Sequence, residues 1–404
     1  MPDLASPLRN TRRTDISEAS GEVSNSPLEM AIKWLLNSGI YISKPEDQNY
    51  GALYSQYDVE SRQHELVYAE ATGYSVSLLN YLAGKHSSAA FAEFANASGN
   101  WLVRWAEKHN GIIAMGLSRG QEIREAYAFD NGVCCKGLLD LFTLTGDERY
   151  LKCAERIADW LVSKALNEDG SVKPVLDLDS GRFVEDRSMW YKVSGSFHAK
   201  IAMPLLQLSS VNNDRRFRDA AVRICEWAIG QQQGNGNFPA NKTMRATYLH
   251  FHCYTVEALL YAYACEGSQR FIEAAERGVN WALTLQRTDG TLPRWHGSGT
   301  MRETANHVQA QIVRIFSLMN MLGRGSGLEE AARKAADYLL GLQRVDQEAT
   351  TRGGFIGGTV RKYRILPRRS PEVSSWAAMF AIQALHFLEE ASTGDFYSEV
   401  KSLF

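Results

Sequence analysis

Two kinds of helical pattern alternate along the chain. In the first kind, apolar residues occupy one helical face and charged residues the other, as in FRDAAVRICEWAIGQQ. In the second kind, apolar residues surround most of the helix, as in YTVEALLYAYACEG. A helix with a charged stripe faces water on one side, whereas a helix that is apolar all round is buried on several sides. The alternation therefore predicts an outer layer and an inner layer of helices.

The charged type of helix occurs six times, each time with an aromatic residue near its C-terminal half. These aromatic residues are Trp34, Trp105, Trp160, Trp227, Trp281 and Tyr338. From Trp105 onward they are roughly 54 to 67 residues apart, a spacing that accommodates two helices and their loops. Six apolar helices alternate with these copies, so the chain is predicted to contain six helical hairpins.

Six hairpins closed into a ring form an all-α (α/α)6 toroid, and we expect residues 27–404 to fold as this single domain. Residues 1–26 are rich in Ser, Arg and Asn and lack the apolar run of a secretory signal, so we expect a flexible leader. Strand-like segments are few, and only SVKPVLDL and GGFIGGTV are expected to pair.

The aromatic helix followed by a turn with Gln, Asp or Asn, and Gly resembles the repeats of α/α-toroid proteins. That group includes terpene cyclases, prenyltransferase subunits and six-hairpin glycan enzymes. The segments YAEATGYSVSLLNYL, FDNGVCCKGLLDLFTLTGDERYL and SSWAAMFAIQAL look like toroid proteins of bacterial polysaccharide-assembly clusters. The resemblance covers roughly residues 27 to 390. It implies the toroid fold and suggests glycan chemistry, although one fold hosts unrelated reactions.

Composition narrows the range of partners. The 44 basic and 46 acidic residues leave no global charge asymmetry, which argues against a nucleic-acid or anionic-membrane partner. No stretch approaches the roughly 18 unbroken apolar residues of a membrane span. Six cysteines lie mostly within apolar helical patterns, which favours free thiols in a cytoplasmic protein. They are Cys134, Cys135, Cys153, Cys225, Cys253 and Cys265.

In a closed ring of hairpins, the N-terminal ends of the inner helices converge, so polar residues there are candidates for the site. Before the first inner helix stand Tyr68, Glu70 and Tyr74, where Glu70 is either a helix cap or a functional carboxylate. Asp130 lies in an apolar run, where an unpaired carboxylate is costly to bury. A bonded structural role and an acid–base role both remain open for it.

Histidine and tyrosine residues mark the next inner helices. Tyr191, Ser194 and His198 are spaced by three and then four residues, so we expect them to share one helical face. Tyr248, His250 and His252 alternate at the entrance of a helix, and such alternation is expected to aim the three side chains alike. We therefore expect His250 and His252, with Tyr248 and His198, to form an acid–base centre.

Substrate-binding residues are predicted in later segments. A Gly-rich turn contributes Trp295, Arg302 and His307, and the basic segment TRGGFIGGTVRKYRILPRRSPE contributes Arg364 and Arg368. Guanidinium groups bind carboxylates or phosphates in a bidentate manner, although such a basic segment is equally typical of a solvated loop. Flat faces for sugar rings are expected from Trp190, Trp295 and Trp376.

These residues favour an enzyme that acts on an anionic, uronate-containing oligo- or polysaccharide by proton abstraction, as a lyase or an epimerase. This chemistry needs a base, an acid and a group that neutralises the carboxylate. A glycoside hydrolase that uses Glu70 and Asp130 is the first alternative. The second is a non-catalytic glycan-binding subunit of polysaccharide assembly.

Two other toroid chemistries are disfavoured. The segment Asp177-Leu178-Asp179-Ser180 departs from the Asp-x-Asp-Asp motif of terpene cyclases. A zinc site from His252, Cys253, Cys134 and Cys135 lacks the usual ligand spacing. We expect neither a metal ion nor another cofactor.

Overall fold

The computed structural model describes residues 26–240, 244, 246–297, 303–361 and 367–404. The predicted leader lies outside these ranges except for Ser26, whose side chain caps the first helix by accepting a hydrogen bond from the Glu29 N–H.

Twelve helices of the described ranges alternate between an outer and an inner ring. The outer helices are α1 (Pro27–Asn37), α3 (Ala89–Lys108), α5 (Glu148–Trp160), α7 (Arg215–Gly230), α9 (Gln269–Leu285) and α11 (Leu328–Leu340). The inner helices are α2 (Ala69–His86), α4 (Ala128–Thr145), α6 (Ala202–Asn212), α8 (Leu249–Glu266), α10 (Asn306–Met321) and α12 (Ser375–Glu389). Shorter elements are a π-helical turn (Leu161–Ala165), two 3₁₀ turns (Trp190–Lys192 and Ser196–Ile201) and α13 (Phe396–Lys401).

The inner helices form a closed ring. Each contacts the next, and α12 packs against α2, while every outer helix packs on an inner partner. The main hydrophobic cluster extends from Ala31 in α1 to Phe404. The predicted assignment of both helix types and the six-hairpin toroid are confirmed, because the one-sided helices cover the ring and the apolar ones line it.

Two-residue turns join α2, α4, α6 and α8 to the outer helices that follow them. Gly146 ends α4 in the left-handed conformation, with a φ of 70°, and Asp147 then caps α5. Asn213 and Asp214 play the same two roles between α6 and α7. A left-handed residue followed by an Asp cap stops one helix and starts the next within two residues. These turns keep the hairpins narrow.

Short strands precede most of the inner helices. They are β1 (Tyr54–Asp58), β2 (Gln63–Tyr68), β3 (Gly116–Ser118), β4 (Gln121–Ile123), β5 (Glu125–Tyr127), β6 (Val175–Asp177), β7 (Arg182–Val184), β8 (Thr247–Tyr248), β9 (Trp295–His296), β10 (Thr304–Ala305), β11 (Gly358–Arg361), β12 (Pro367–Arg369) and β13 (Glu372–Ser374). The sheets have the orders β13-β1-β2-β3-β4, β10-β11-β12, β5-β6-β7 and β8-β9, and their pairings are antiparallel.

The strand content was underestimated from sequence. The two expected segments do pair, as β6 and β11, but the five-stranded sheet was not predicted. Strands β2, β5, β8, β10 and β13 lead directly into inner helices, so the sheets fix where those helices begin. Gly358 of β11 shows how closely they pack, because a Cβ at this position, with its φ of +144°, would lie 2.2 Å from the Thr304 carbonyl oxygen.

Within the described ranges, no helix has both the length and the apolar character needed to cross a membrane.

Candidate active site

A cavity of about 390 Å³ opens at the end of the ring where the inner helices begin. It brings together eight of the residues predicted from sequence: Tyr68, Glu70, Asp130, Tyr191, Tyr248, His250, His307 and Trp376. The other fourteen lining residues were not predicted, and four of them carry titratable side chains: Tyr127, Tyr254, Arg294 and Glu372.

The cavity is built on a repeated helix start. Tyrosine is the N-cap residue of α2, α4 and α8, as Tyr68, Tyr127 and Tyr248, and all three tyrosines line the cavity. The second residue of α2 is Glu70 and that of α8 is His250, and both also line the cavity. His307 and Trp376 occupy that second position in α10 and α12. Equivalent positions of the repeat therefore supply the polar lining, and this register would have identified Tyr127.

Two carboxyl groups form the acidic side of the cavity. Glu70 and Asp130 are buried in the first turns of α2 and α4, and the Tyr68 hydroxyl lies within hydrogen-bonding reach of both. Burial and the nearby Asp130 raise the pKa of Glu70, and burial raises the pKa of Asp130. Oδ2 of Asp130 has no hydrogen-bond partner among the described residues. The pair thus retains a proton at a higher pH than ordinary carboxyl groups, so it can act as a proton donor.

His250 lies on the basic side of the cavity. Its Nδ1 is 2.5 Å from Oε1 of Gln311, and its ring centroid is 4.1 Å from that of Tyr254 and 4.4 Å from that of His307. Since an amide oxygen only accepts hydrogen bonds, Nδ1 carries the proton and Nε2 carries the lone pair. Burial lowers the pKa of His250 to about 3. The imidazole is therefore neutral, and its Nε2 atom is unprotonated.

A buried charge network lies behind His250. Gln311 donates through Nε2 to Glu257 at 3.4 Å, and Glu257 is also paired with Lys200 at 2.6 Å and with Arg314. Glu257 and Arg314 are fully buried. A charge at this depth requires a partner of opposite sign, and this carboxylate has two. The network holds the Gln311 amide in one orientation and thereby fixes the tautomer of His250.

Tyr248, His307 and Arg294 form a cationic corner. The Tyr248 hydroxyl lies 2.9 Å from Nε2 of His307, and the Arg294 guanidinium lies 5.5 Å from the centre of the Tyr248 ring. Burial, together with His250 and Arg294, lowers the pKa of His307, which favours the neutral ring. Arg294 thus brings a guanidinium group to the wall of the cavity.

The expected alignment of His250 with His252 is wrong. Because α8 already begins at Leu249, the two histidines are two residues apart within a helix and point in opposite directions. Nδ1 of His252 accepts a hydrogen bond from the Phe238 N–H at 3.2 Å, and Nε2 donates to the Gly278 carbonyl at 3.1 Å. His252 therefore joins α8 to its outer neighbours and does not line the cavity.

Three further predicted residues also lie outside the cavity lining. His198 is buried, and its Nδ1 accepts from the Gly195 N–H at 3.2 Å. Tyr74 is buried and bonded to the Tyr254 hydroxyl at 2.8 Å, so it supports a lining residue. Trp295 stacks on Tyr248 at 4.7 Å and supports that ring in the same way. These three side chains therefore pack around the cavity and do not line it.

Arg302 and Arg364 lie outside the described residues, as do the side chains of Trp190 and Arg368. Among the described residues, no group of three or more His, Cys, Asp or Glu side chains is arranged to hold a metal ion.

Solved structures similar to this one are carbohydrate enzymes. Cellobiose 2-epimerase from Bacillus thermoamylovorans B4167 superimposes with a TM-score of 0.72 at 12% identity, over 90% of this chain and 99% of that chain. An unsaturated glucuronyl hydrolase specific for heparin gives 0.68 at 12% identity, over 92% and 98%. A D-mannose isomerase gives 0.70 at 10% identity, over 91% and 98%. At such low identity the likeness shows the shared (α/α)6 toroid fold. No protein-family model and no curated protein sequence matches the chain.

Proposed function

We propose that the protein is a carbohydrate-active enzyme that transfers a proton at the carbon beside the carboxylate of a uronate-containing glycan. The observation that carries this proposal is that neutral His250 lines the same cavity as the carboxyl pair of Glu70 and Asp130, and Arg294 lines it too. A base, an acid and a cation are thus available to one bound sugar. The enzymes with similar folds, which include sugar epimerases and a glucuronyl hydrolase, add support.

The proposed reaction begins with the substrate carboxylate held by Arg294 and the Tyr248 hydroxyl. His250 takes the proton from the adjacent carbon through Nε2, and the electron pair of the broken C–H bond enters an enolate that Arg294 stabilises. The carboxyl pair then supplies a proton. Delivery to the opposite face of the same carbon gives an epimer. Delivery to the glycosidic oxygen, as the neighbouring C–O bond breaks, gives an unsaturated sugar and completes a lyase reaction.

Aromatic side chains would orient the sugar. Trp376 lines the cavity with its ring edge-to-face against Tyr68, at a centroid distance of 5.4 Å. Tyr191 lines the cavity as a partly exposed side chain. Flat apolar faces of this kind pack against the C–H faces of sugar rings, while the open mouth lets the rest of a glycan extend into solvent.

Hydrolysis is the second candidate. The observation that favours it is that Glu70 and Asp130 share the Tyr68 hydroxyl and both have raised pKa values, so one can protonate a leaving oxygen while the other activates water.

All six cysteines are unpaired. Free thiols support the proposal that the enzyme works in a reducing compartment such as the cytoplasm.

The assay offers uronate-containing oligosaccharides in deuterium oxide and follows three signals. Absorbance of a new C4–C5 double bond identifies a lyase, and deuterium at C5 without cleavage identifies an epimerase. Release of reducing ends with neither signal assigns hydrolysis to the carboxyl pair. Binding without any turnover would leave a glycan-binding subunit, and neither binding nor turnover would contradict the proposal.

Variants link the signal to the cavity. His250→Gln is expected to lower turnover by about 10²–10⁴-fold, the usual contribution of an acid–base group. His86→Gln is the matched control, because His86 is exposed near the far end of α2. Equal loss in both variants, or full activity in His250→Gln, would contradict the role of His250.

A further inference from the structure

A basic groove lies on the outside of the ring, between the outer helices α3 and α5. Its volume is about 430 Å³, and it shares no lining residue with the candidate active site. Four cations line it, Arg104, Arg149, Lys152 and Arg156, and Glu107 is the one acid among its described lining residues. We call this pocket the α3–α5 groove. The proposed reaction does not use it.

Three of these cations form a stripe on one face of α5. Arg149, Lys152 and Arg156 are three and then four residues apart, so they lie on the same side of the helix. At the rise of an α-helix the stripe is about 10 Å long. Like charges at these spacings repel each other and destabilise a helix. Sequences break a local rule of this kind most often at functional sites.

The acids of α5 do not neutralise the stripe. Glu155 accepts a hydrogen bond from Nδ2 of Asn212 at 3.2 Å, and Asp159 is paired with Arg216 at 3.3 Å. Both carboxylates are thus directed toward the neighbouring hairpin of α6 and α7. Glu148, the remaining acid of α5, does not line the groove. The charged side chains of α5 are therefore divided, with its cations on the side of α3.

The groove keeps an excess of positive charge. Arg149 is its one cation with an ion-pair partner among the described residues, Asp147 at 2.7 Å. Arg104 donates to the carbonyl oxygen of Tyr50 at 3.5 Å, a neutral partner that leaves its charge uncompensated. Since Glu107 and Asp147 offset two of the four cations, two positive charges remain. Such a local excess attracts anionic ligands.

The floor of the groove is apolar and consists of small residues. Ala97, Ala106 and Cys153 line it and are buried. Gly111 has a φ of +89°, and the Cβ and Cδ atoms of Arg156 lie 3.4 Å from the place that a Cβ would occupy there. The stem of Arg156 therefore lies against this turn. A sugar ring can place its C–H face on such a floor while its carboxylate meets the cations.

A nucleic acid fits the α3–α5 groove less well. Proteins that bind single strands without sequence preference combine a basic groove with successive aromatic side chains, on which the bases stack. Tyr50 is the one aromatic residue among the described residues that line this groove. The whole chain also has 44 basic against 46 acidic residues. The lining thus favours a carboxylated sugar chain over a nucleic acid.

We propose that the α3–α5 groove is a second binding surface for an anionic glycan, whose carboxylates are bound by the cations of α3 and α5. The choice of a uronate chain rests on the proposed function, whereas the excess of positive charge does not. Guanidinium groups bind carboxylates through two N–H donors. A glycan held at this surface has a higher effective concentration at the catalytic cavity than a free one.

Calorimetry on the full chain tests the groove. The Arg294→Ala protein is titrated with a galacturonate hexasaccharide at low ionic strength, so that the catalytic cavity lacks its proposed carboxylate-binding group. Binding is expected, and it should weaken as salt is added, because salt screens exposed charges. The methyl ester of the same hexasaccharide is neutral and should bind much more weakly.

Substitutions then assign the binding to the stripe. Lys152→Gln combined with Arg156→Gln is expected to weaken hexasaccharide binding by about tenfold, because two charge-assisted contacts are lost. Lys33→Gln combined with Arg223→Gln is the matched control. It removes one exposed Lys and one exposed Arg from the outer helices α1 and α7, and it should leave the affinity unchanged.

Three results would overturn the proposal: no binding of the hexasaccharide to Arg294→Ala, equal weakening in the two double variants, or equal affinity for the methyl ester. Tighter binding of a single-stranded oligonucleotide with the same number of charges would overturn the assignment to a glycan. The proposed function fails by a different result, which is the absence of turnover and of glycan binding in the unmodified protein. Turnover without binding to the groove would contradict the groove alone.

Discussion

The Nδ1 atom of His250 lies 2.5 Å from Oε1 of Gln311. The opposite end of that amide donates to Glu257, which is fully buried and paired with two cations. An amide has one accepting and one donating end, so the carboxylate that holds the donating end also decides which nitrogen of the imidazole carries the proton. Glu257 thus sets the tautomer of His250, the proposed base, although Glu257 itself does not line the cavity.

Replacing Gln311 by Leu tests this relationship. The variant removes the acceptor for the Nδ1 proton, so the fraction of the Nδ1–H tautomer is expected to fall, and turnover should drop at least about tenfold. Nitrogen-15 chemical shifts of the imidazole measure the tautomer, and kcat measures the consequence.

Gln309→Leu is the matched control for that variant. Gln309 is equally buried in α10, and both ends of its amide bond the backbone of Leu292. This variant is expected to lose stability while the tautomer of His250 is unchanged. An unaltered tautomer in Gln311→Leu would contradict the proposed control by Glu257.

The carboxyl pair predicts the alkaline limb of the pH profile. Activity that requires a protonated carboxyl group falls as pH rises through the raised pKa of Glu70 and Asp130. The Tyr68 hydroxyl lowers both pKa values by bonding the ionised forms, so Tyr68→Phe is expected to raise them further. The alkaline limb of kcat/KM should then move to higher pH.

Tyr127→Phe is the control for that shift. Tyr127 is also an N-cap tyrosine that lines the cavity, but its hydroxyl is bonded to Glu125 at 2.6 Å. The alkaline limb of kcat/KM in Tyr127→Phe should stay close to that of the unmodified protein. A limb that moves to lower pH in Tyr68→Phe would show that the carboxyl pair is not the essential acid.

Arg294→Lys tests recognition of the substrate carboxylate. The positive charge remains but the planar guanidinium is lost, so binding of a uronate ligand is expected to weaken by about tenfold, or about 1.4 kcal/mol. Binding of the corresponding neutral sugar at the same cavity should change little, which makes it the control. Equal weakening for both ligands in calorimetry would assign Arg294 to the packing of Tyr248.

Much of the fold was predictable because helix periodicity reports burial directly. The α8 sequence is apolar around its circumference and is buried from Leu249 to Ala262, whereas α7 carries charges on one face and lies outside. The strands were harder to predict. The segment QHELVY in β2 is too short and too polar to show a clear two-residue hydrophobic period. It pairs with β1 and β3, which are also short, and β3 is distant in the sequence.

The site was predictable where a polar residue interrupts an apolar helix start, as with Glu70, Asp130 and His250. Arg294 was not predicted because a single arginine beside a tryptophan forms no distinctive pattern. Anion binding was predicted instead for the segment around Arg364, because several basic residues lie close together there. The side chain of His252 was predicted to face the wrong way because an alternating pattern has opposite consequences in a strand and in a helix. Side chains two residues apart share a face in a strand and diverge in a helix.

The corrected position of His252 gives a prediction that separates it from His250. His252→Ala leaves the Phe238 N–H and the Gly278 carbonyl without partners and creates a cavity in the core, so the free energy of unfolding should fall by about 2–5 kcal/mol. Turnover at a temperature where the variant remains folded should be close to that of the unmodified protein. Urea unfolding and kcat measure the two effects, with His86→Ala as the control.

The size of that loss should depend on pH in a defined direction. Burial lowers the pKa of His252 from 6.5 to about 3, so between these values the unfolded chain binds a proton that the native protein excludes. The contribution of neutral His252 to stability is therefore complete above about pH 7 and decreases as pH falls. His252→Ala should consequently destabilise the protein more at about pH 8 than at about pH 5. A loss that is larger at the lower pH, or a loss of turnover without a loss of stability, would restore His252 as a candidate for the acid–base centre.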